Sequence, residues 1–496
     1  LRKSIGARRK QLVGQFLGES VLLASVATLC AVALAFAARP AFGALLEQPL
    51  ELGGMSVTLP LALVALAAVV GLAAGSYPAF YLAAFKPARV LKGDATRSRG
   101  AAQFRRALVV IQFSISIALV IATAVVFEQT RYARNIELGY DKEQIVVLTG
   151  APTWGLGRQW QTMKQQLLAD PEIVAVTASS VPPANGYTSN IAVRAETGAE
   201  PRALYYLPID FDFFETFKIE PLAGRTLTDD HPSDRLVFPQ TDDRNARGSG
   251  GWVLNETAAR ELGWSPAEAI DQRLEIAGSA LGPVVGVVPD IHFESVRDPI
   301  KPTVYVVWQD ETRTNFKTIR QASIRITGRN VAATLDHIDA IWKRFSPEQP
   351  VTRRFLDQDF ENLYRAEERQ AAMLTFFALL AIFVACLGVL GLASYTTAPR
   401  TKEIGIRKTH GASVWHIVKL YAGEFGVLVL VANVIAWPVA YFAMQRWLQS
   451  FAYRIELGPL AFAGGGLAAL AVAWLTVAAV AARAARAKPV GALRYE

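Results

Sequence analysis

Cysteine is almost missing from this chain. There are two in 496 residues, Cys30 and Cys386, and both fall inside apolar stretches. That excludes a disulfide framework, a CxxC redox motif and a cysteine zinc site. Histidine is nearly as scarce, at five residues, and no HExxH pattern occurs. No GxxxxGK[ST] phosphate loop and no GxSxG elbow is present, so P-loop nucleotide binding and serine-hydrolase chemistry are excluded by motif. Charge is sparse too, at 19% of residues, against about 25% in soluble domains.

What is present is apolar sequence, 52% of the chain. It concentrates in six stretches, at 18–37, 60–83, 107–126, 371–395, 419–443 and 458–482. Each has the roughly 20 residues that a helix needs to cross a bilayer. One such stretch alone could be a buried core helix. Six without an interior Lys or Arg predict an α-helical integral membrane protein. The segment between 128 and 370 has ordinary soluble composition and predicts one mixed α/β extracytoplasmic domain. It contains no cysteine, so it is expected to fold without disulfides despite an oxidising compartment.

Basic residues set the orientation. They cluster in 1–17 (Arg2, Lys3, Arg8, Arg9, Lys10), in 84–106 (Lys86, Arg89, Lys92, Arg97, Arg99, Arg105, Arg106), in 396–419 and in the tail. These segments hold 21 of the 51 basic residues and few carboxylates. They alternate with the remaining loops as six spans require. Both termini are therefore expected in the cytoplasm, with 128–370 outside. The net charge of +8 is an orientation signal and gives no reason to expect a nucleic-acid partner.

The chain also repeats itself. LRKSIGARRKQLVGQFLGES at 1–20 aligns without gaps to IRKTHGASVWHIVKLYAGEF at 406–425. Arg2 matches Arg407, Lys3 matches Lys408, Gly6 matches Gly411, Ala7 matches Ala412 and Glu19 matches Glu424. Each copy continues through two spans to a Lys-Pro motif, FKPARVLKG at 85–93 and AKPVGALRY at 487–495. Internal repeats of this kind are common in transporter folds. The first copy starts inside the motif, so the expectation is a C-terminal part of a longer, eight-span protein.

Within 128–370 the patterns predict strands at 144–150, 173–180, 283–288, 303–308 and 321–328, with helices at 157–170 and 330–345. Asn255 reads as the N-cap of a helix over 255–264, which accounts for the NET sequon there. The polar, Gly-rich stretch 229–251 predicts a mobile loop. His292, beside Asp290 and Glu294, reads as a polar cluster more readily than as a metal site. Glu19 and Glu424 read as carboxylates near helix starts, favoured by the helix dipole. Asn433 is expected to bond a neighbouring helix, and Pro438 to kink its own.

The segment RTKEIGIRKTHGASVWHIVK, 400–419, reads as a short amphipathic helical element; lipid anchoring is one role open to it, and its echo at 1–17 favours a common partner-docking role. Its core, KEIGIRKTHGAS, resembles the signature cytoplasmic segment of the FtsX-like permease family of ABC transporters, which includes MacB-type permeases. LGYDKEQIVVL (138–148), LNETAARELGW (254–264), VVGVVPDIHFESVRDPIKPTVYV (284–306) and FLDQDFENLYRAEERQ (355–370) are similar to the MacB-type periplasmic core domain.

The resemblance implies a first FtsX-like unit in part at 1–93 and a linker with a span at 94–127. It implies a periplasmic core domain at 128–370 and a second FtsX-like unit at 371–496. It further implies a non-catalytic permease that moves or extracts substrate outside the membrane by mechanotransmission. ATP would be bound by a partner ABC ATPase subunit in two copies, with no cofactor in this chain. Membrane lipids and a periplasmic protein would be further partners. The residues implied to dock the ATPase are Glu403, Gly405, Ile406, Arg407, Lys408, Gly411 and Ala412, and in the first copy Arg2, Lys3, Gly6 and Ala7. His410 departs from the hydrophobic residue expected there; Ile5 fills the equivalent place in the first copy. Two other readings stand beside this one: a regulator relaying ATPase motion to a cell-wall hydrolase, with DDHPSDR as its docking loop, and a sensor with no ATPase.

Overall fold

The computed structural model describes residues 9–46, 58–83, 99–149, 156–187, 189–195, 200–238, 247–276, 280–308, 321–397 and 413–486. They divide into two compact units.

The first unit comprises residues 1–121, 371–439 and 462–496 and is helical. Among the described residues, six helices are long and apolar enough to cross a membrane. They are α1 (Arg9–Leu46), α2 (Thr58–Ala83), α3 (Arg99–Asn135), α8 (Leu356–Thr397), α9 (Val414–Leu448) and α10 (Pro459–Arg486), with α4 to α7 lying between α3 and α8. The helices are longer than their apolar stretches. α8 has 42 residues and opens with the polar run LDQDFENLYRAEERQ. Its first turn carries Asp357 and Asp359, which suit the positive helix end.

Small residues let these helices approach one another. A Cβ on Gly71 of α2 would lie 2.6 Å from the Val21 Cα of α1. The Ser114 hydroxyl of α3 donates to Val110 O in its own helix at 2.8 Å and also lies 3.2 Å from Ala432 O of α9. Gly466 of α10 packs on the Asn433 side chain of α9. Asn433 does not bond a neighbouring helix as expected. Its amide donates to Val429 O at 2.9 Å and its carbonyl accepts from Trp437 at 3.0 Å, both within α9. Glu19 and Glu424 also sit differently. α1 and α9 have no acid in the first turn, so both carboxylates lie beyond the reach of the dipole. Glu19 instead accepts from Gln15 at 3.0 Å.

The second unit comprises residues 122–370 and 440–461. Its strands are β1 (Ile145–Thr149), β2 (Ile173–Ser179), β3 (Asn190–Ala195), β4 (Arg202–Ile209), β5 (Ala223–Gly224), β6 (Arg235–Leu236) and β7 (Gly248–Ser249). β8 (Trp252–Asn255), β9 (Arg273–Ile276), β10 (Ala280–Val288), β11 (Thr303–Trp308), β12 (Gln321–Ile326) and β13 (Thr352–Phe355) follow. The helices are α4 (Leu156–Leu168), α5 (Phe213–Thr216), α6 (Glu256–Glu261) and α7 (Val331–Phe345).

Two sheet regions follow from the pairings. One is antiparallel, in the order β13-β1-β12-β2, and α4 and α7 cover one face. β1 shows why its sequence is an unbroken apolar run. Val146 and Leu148 face Met163, Leu167, Ile338 and Trp342, while Ile145 and Val147 face a second core on the other side. A strand buried on both faces needs no polar alternation. The other region closes on itself through β4-β3-β9-β10-β8-β11 and back to β4, which removes its exposed edges. Val193, Leu204, Trp252, Leu254, Leu274, Val284 and Val304 fill it.

The described residues of stretch 229–251 are held by internal contacts, contrary to the mobile-loop expectation, and 239–246 lie outside the described residues. Asp234 is buried, and Arg225 clamps it with contacts of 2.5 and 2.8 Å. Asp229 pairs with Arg235. Two of the three acids of DDHPSDR, Asp229 and Asp234, are thus engaged internally, while Asp230 is exposed. Asn255 caps α6, its side chain accepting from Ala258 N at 3.0 Å. At 1% exposure it is also hidden from any glycosylating enzyme.

Candidate coupling joint

Four segments of the second unit converge on one cluster: the end of α3, the stretch 289–301, the opening turns of α8, and the 449–458 connection between α9 and α10. Ala133, Leu138, Ile291, Phe293, Val296, Leu356, Phe360, Tyr364 and Phe451 are buried in a single core with Phe213 and Phe217. The α8 residues recur at 356, 360, 364 and 367, one face of a helix.

Polar contacts fix the geometry around this core. Gln129 of α3 is fully buried. Its amide donates to Tyr453 O at 3.0 Å and its carbonyl accepts from Ile455 N at 2.9 Å. One side chain thus satisfies two backbone groups that would otherwise be unpaired. The connection also pairs with the domain backbone, Ala452 N to Arg297 O and Tyr453 N to Val296 O, both 3.1 Å. Arg297 holds the buried Glu367 of α8 through Nε at 2.8 Å and lies 4.5 Å over the Phe451 ring. The Tyr364 hydroxyl accepts from Val296 N at 3.3 Å.

Backbone conformation contributes at Gly139. Its φ is +77°, and a Cβ there would lie 2.3 Å from Asp290 O. Only glycine lets the chain leaving α3 pass so close to 290. His292 N then donates to Leu138 O at 3.0 Å. Arg325 of β12 ties the following residues, donating to Thr216 O, Glu143 O and Asp141 O at 2.7–3.0 Å.

The polar cluster around His292 is dispersed among structural partners. The Asp290 carboxylate accepts from Asn255, from Thr257 N and from the Thr257 hydroxyl. Glu294 pairs with Lys301 at 3.4 Å. The His292 ring stacks edge-on to Tyr453 at 5.0 Å, and burial lowers its pKa against the opposing pull of Asp290.

The sequence-predicted docking residues Arg2, Lys3, Gly6, Ala7, Glu403, Gly405, Ile406, Arg407, Lys408, Gly411 and Ala412 lie outside the described residues, as does His410. The end of that segment is described. Ser413 precedes α9 and its hydroxyl accepts from His416 N at 3.3 Å. Val414 and Ile417 therefore belong to the long helix α9, not to a separate short one. Sequence reading did not single out Gln129, Arg297, Tyr364, Glu367 or Tyr453. The i, i+4, i+8, i+11 spacing from Leu356 to Glu367 was an available signal.

Two known families match this chain. The FtsX-like permease C-terminal family matches residues 1–89 and 375–489, the two copies of the internal repeat. The MacB-like periplasmic core domain matches residues 107–341. No curated relative matches. Among solved structures, the extracellular domain of the noncanonical ABC-type transporter YknZ from Gram-positive bacteria shares 14% identity, over 42% of this chain and 98% of that one, with a TM-score of 0.28. A domain of a putative permease protein from Porphyromonas gingivalis shares 16%, over 43% and 90%, also with a TM-score of 0.28.

Proposed function

Because this chain belongs to the FtsX-like permease family of ABC transporters and carries a MacB-like periplasmic core domain, we propose that it is a permease subunit working by mechanotransmission. A separate ATPase docks on 402–412 and on its first-copy counterpart at 2–7. Both termini lie in the cytoplasm and the second unit lies outside. ATP-driven closure shifts the coupling segments, and the helices carry the displacement outward. Substrate is handled on the outer side of an inner membrane, without a wide pore.

The observation that supports this reading is the burial of α8 residues Leu356, Phe360, Tyr364 and Glu367 among the domain's own core and polar contacts. A helix seated in that way cannot shift without disturbing 291–301 and 449–458. The test is hydrogen exchange of the permease bound to its ATPase. ATP should change protection in 291–301 and 449–458. Ile406→Asp would bury an unpaired charge at the docking surface, at roughly 3–5 kcal/mol. It should abolish both ATPase co-purification and the exchange response. An ATP response that survives in Ile406→Asp, or none in wild type, would refute the proposal.

A further inference from the structure

The α1–α2 hairpin forms a half-open groove of about 790 Å³, a size typical of small-ligand sites. Its shape follows from the sequence. Gly71 and Gly75 of α2 bring the helices together against Val21 and Ser20. Beyond them, Leu29, Val32 and Phe36 of α1 and Leu63 and Val64 of α2 line the space.

The lining is apolar in effect as well as in composition. Its two hydroxyls are spent inside α1: Ser25 donates to Val21 O at 2.9 Å and Thr28 donates to Ala24 O at 2.8 Å. An apolar space without free polar groups does not hold water and takes apolar occupants. One charged residue lines it. Arg39 sits toward the loop end of α1, is exposed, and has no hydrogen-bond or ion-pair partner among the described residues. Near it Phe42 packs edge-on against Phe376 of α8, with centroids 4.6 Å apart.

We propose that this hairpin is a binding site for an anionic phospholipid, with an acyl chain in the groove and the phosphate on Arg39. A guanidinium beside hydrocarbon is costly unless it reaches the interface or an anion, and its fork fits phosphate oxygens. Assignment of the site to the outer leaflet rests on the orientation given under the proposed function.

The test uses the full chain in nanodiscs, with retained lipid read by native mass spectrometry. Phosphatidylglycerol is compared with phosphatidylcholine. Wild type should retain the anionic lipid about fivefold better, the factor expected for one basic residue near an anionic headgroup. Arg39→Gln should erase that preference while keeping chain binding. Ala35→Trp, which fills the groove from its wall, should lose both lipids, and Leu430→Trp on exposed α9 surface should lose neither. No preference in wild type, or an Arg39→Gln variant that keeps it, overturns the proposal. So does a photo-crosslinker at Ala35 that captures a second polypeptide in place of lipid, since a helix then occupies the groove. The orientation is checked apart, with Glu47→Cys in a background lacking Cys30 and Cys386. Labelling from the cytoplasmic face alone would overturn the topology and the leaflet, while leaving the lipid preference as an independent result.

Discussion

In the second unit the largest side chains are hidden. Trp252, Trp342, Tyr305, Phe213 and Phe217 are each 0–1% exposed. In the first unit Phe113, Ile117 and Ile121 are buried, but many large side chains point outward, with Leu29 and Leu34 at 70% exposure and Val434 at 73%, and small residues such as Ala432, Ala436 and Gly71 share the contacts. The contrast follows from solvent. Water drives large apolar surfaces together. Lipid does not, so helices there associate through close backbone approach and interhelical hydrogen bonds. A single rule of "apolar inside" would misread half of this chain.

The largest effect expected from that contrast concerns a charge that only the second unit shelters. Lys164 of α4 pairs with Asp210 at 2.7 Å and also with Asp212. Asp210 additionally accepts from Trp160 at 2.9 Å. Lys164 and Asp210 are both buried. Removing Asp210 alone, as Asp210→Ala, should destabilise the second unit by about 3–5 kcal/mol, because Lys164 loses its principal buried partner. The counterpart in the first unit is Leu475→Ala on α10, at a position 62% exposed. That change should stay within about 0.5 kcal/mol. Thermal unfolding of the detergent-solubilised chain, followed by protease resistance of each unit, reads both. Equal losses would mean that the units do not differ in how they are held.

The same contrast explains what could be read from the sequence. The spans and the orientation-setting charges are composition signals, and all six helices were anticipated. Strands buried on both faces were anticipated too, because QIVVL and TVYVVW are continuous apolar runs. β3, β4, β8 and β9 were missed. They form part of a closed ring whose pairings join residues far apart in sequence, such as Val193 with Ile276, and WVLN and RLEI are too short to stand out. The joint was missed for a related reason. Gln129 and Tyr453 are separated by 324 positions, and nothing local marks a buried glutamine as a backbone partner. The expectation for Asn433 failed because a helix can satisfy an amide internally, at Val429 and Trp437.

A smaller effect isolates the packing of the first unit. In Gly71→Ala the new methyl would meet the Val21 backbone, which cannot move aside as a flexible side chain would. Overpacking of this kind costs roughly 1–3 kcal/mol. Gly464 of α10 has nothing within 4 Å of the same methyl, so Gly464→Ala should be neutral or slightly stabilising, since alanine is the better helix former. The comparison is read as the detergent concentration at which each variant loses its fold. If the two variants behave alike, close approach is not what joins α1 to α2.

The smallest effect expected is a pH response confined to the second unit. The six apolar stretches contain no histidine, whereas His292 is 7% exposed within the joint. Beside it are the Tyr453 ring and Asp290. Burial holds its pKa below the ordinary 6.5, and Asp290 only partly opposes that. The unfolded chain therefore binds the proton more readily than the folded one. Stability from this group is complete above pH 6.5 and is lost as pH falls from there toward the lowered folded value. Asp141 also responds to acid. Burial pushes its pKa up, but Lys218, the Glu143 amide and Arg325 outweigh that and leave it below 3.8, so its window is separate and lower. Unfolding of the second unit should thus be easier at pH 5.5 than at pH 8 in wild type. His292→Gln should flatten that difference while leaving intact the loss that Asp141 causes below pH 3.8. A His292→Gln chain as acid-sensitive as wild type at pH 5.5 would place the response elsewhere, with His231 and His337 the remaining histidines of that unit.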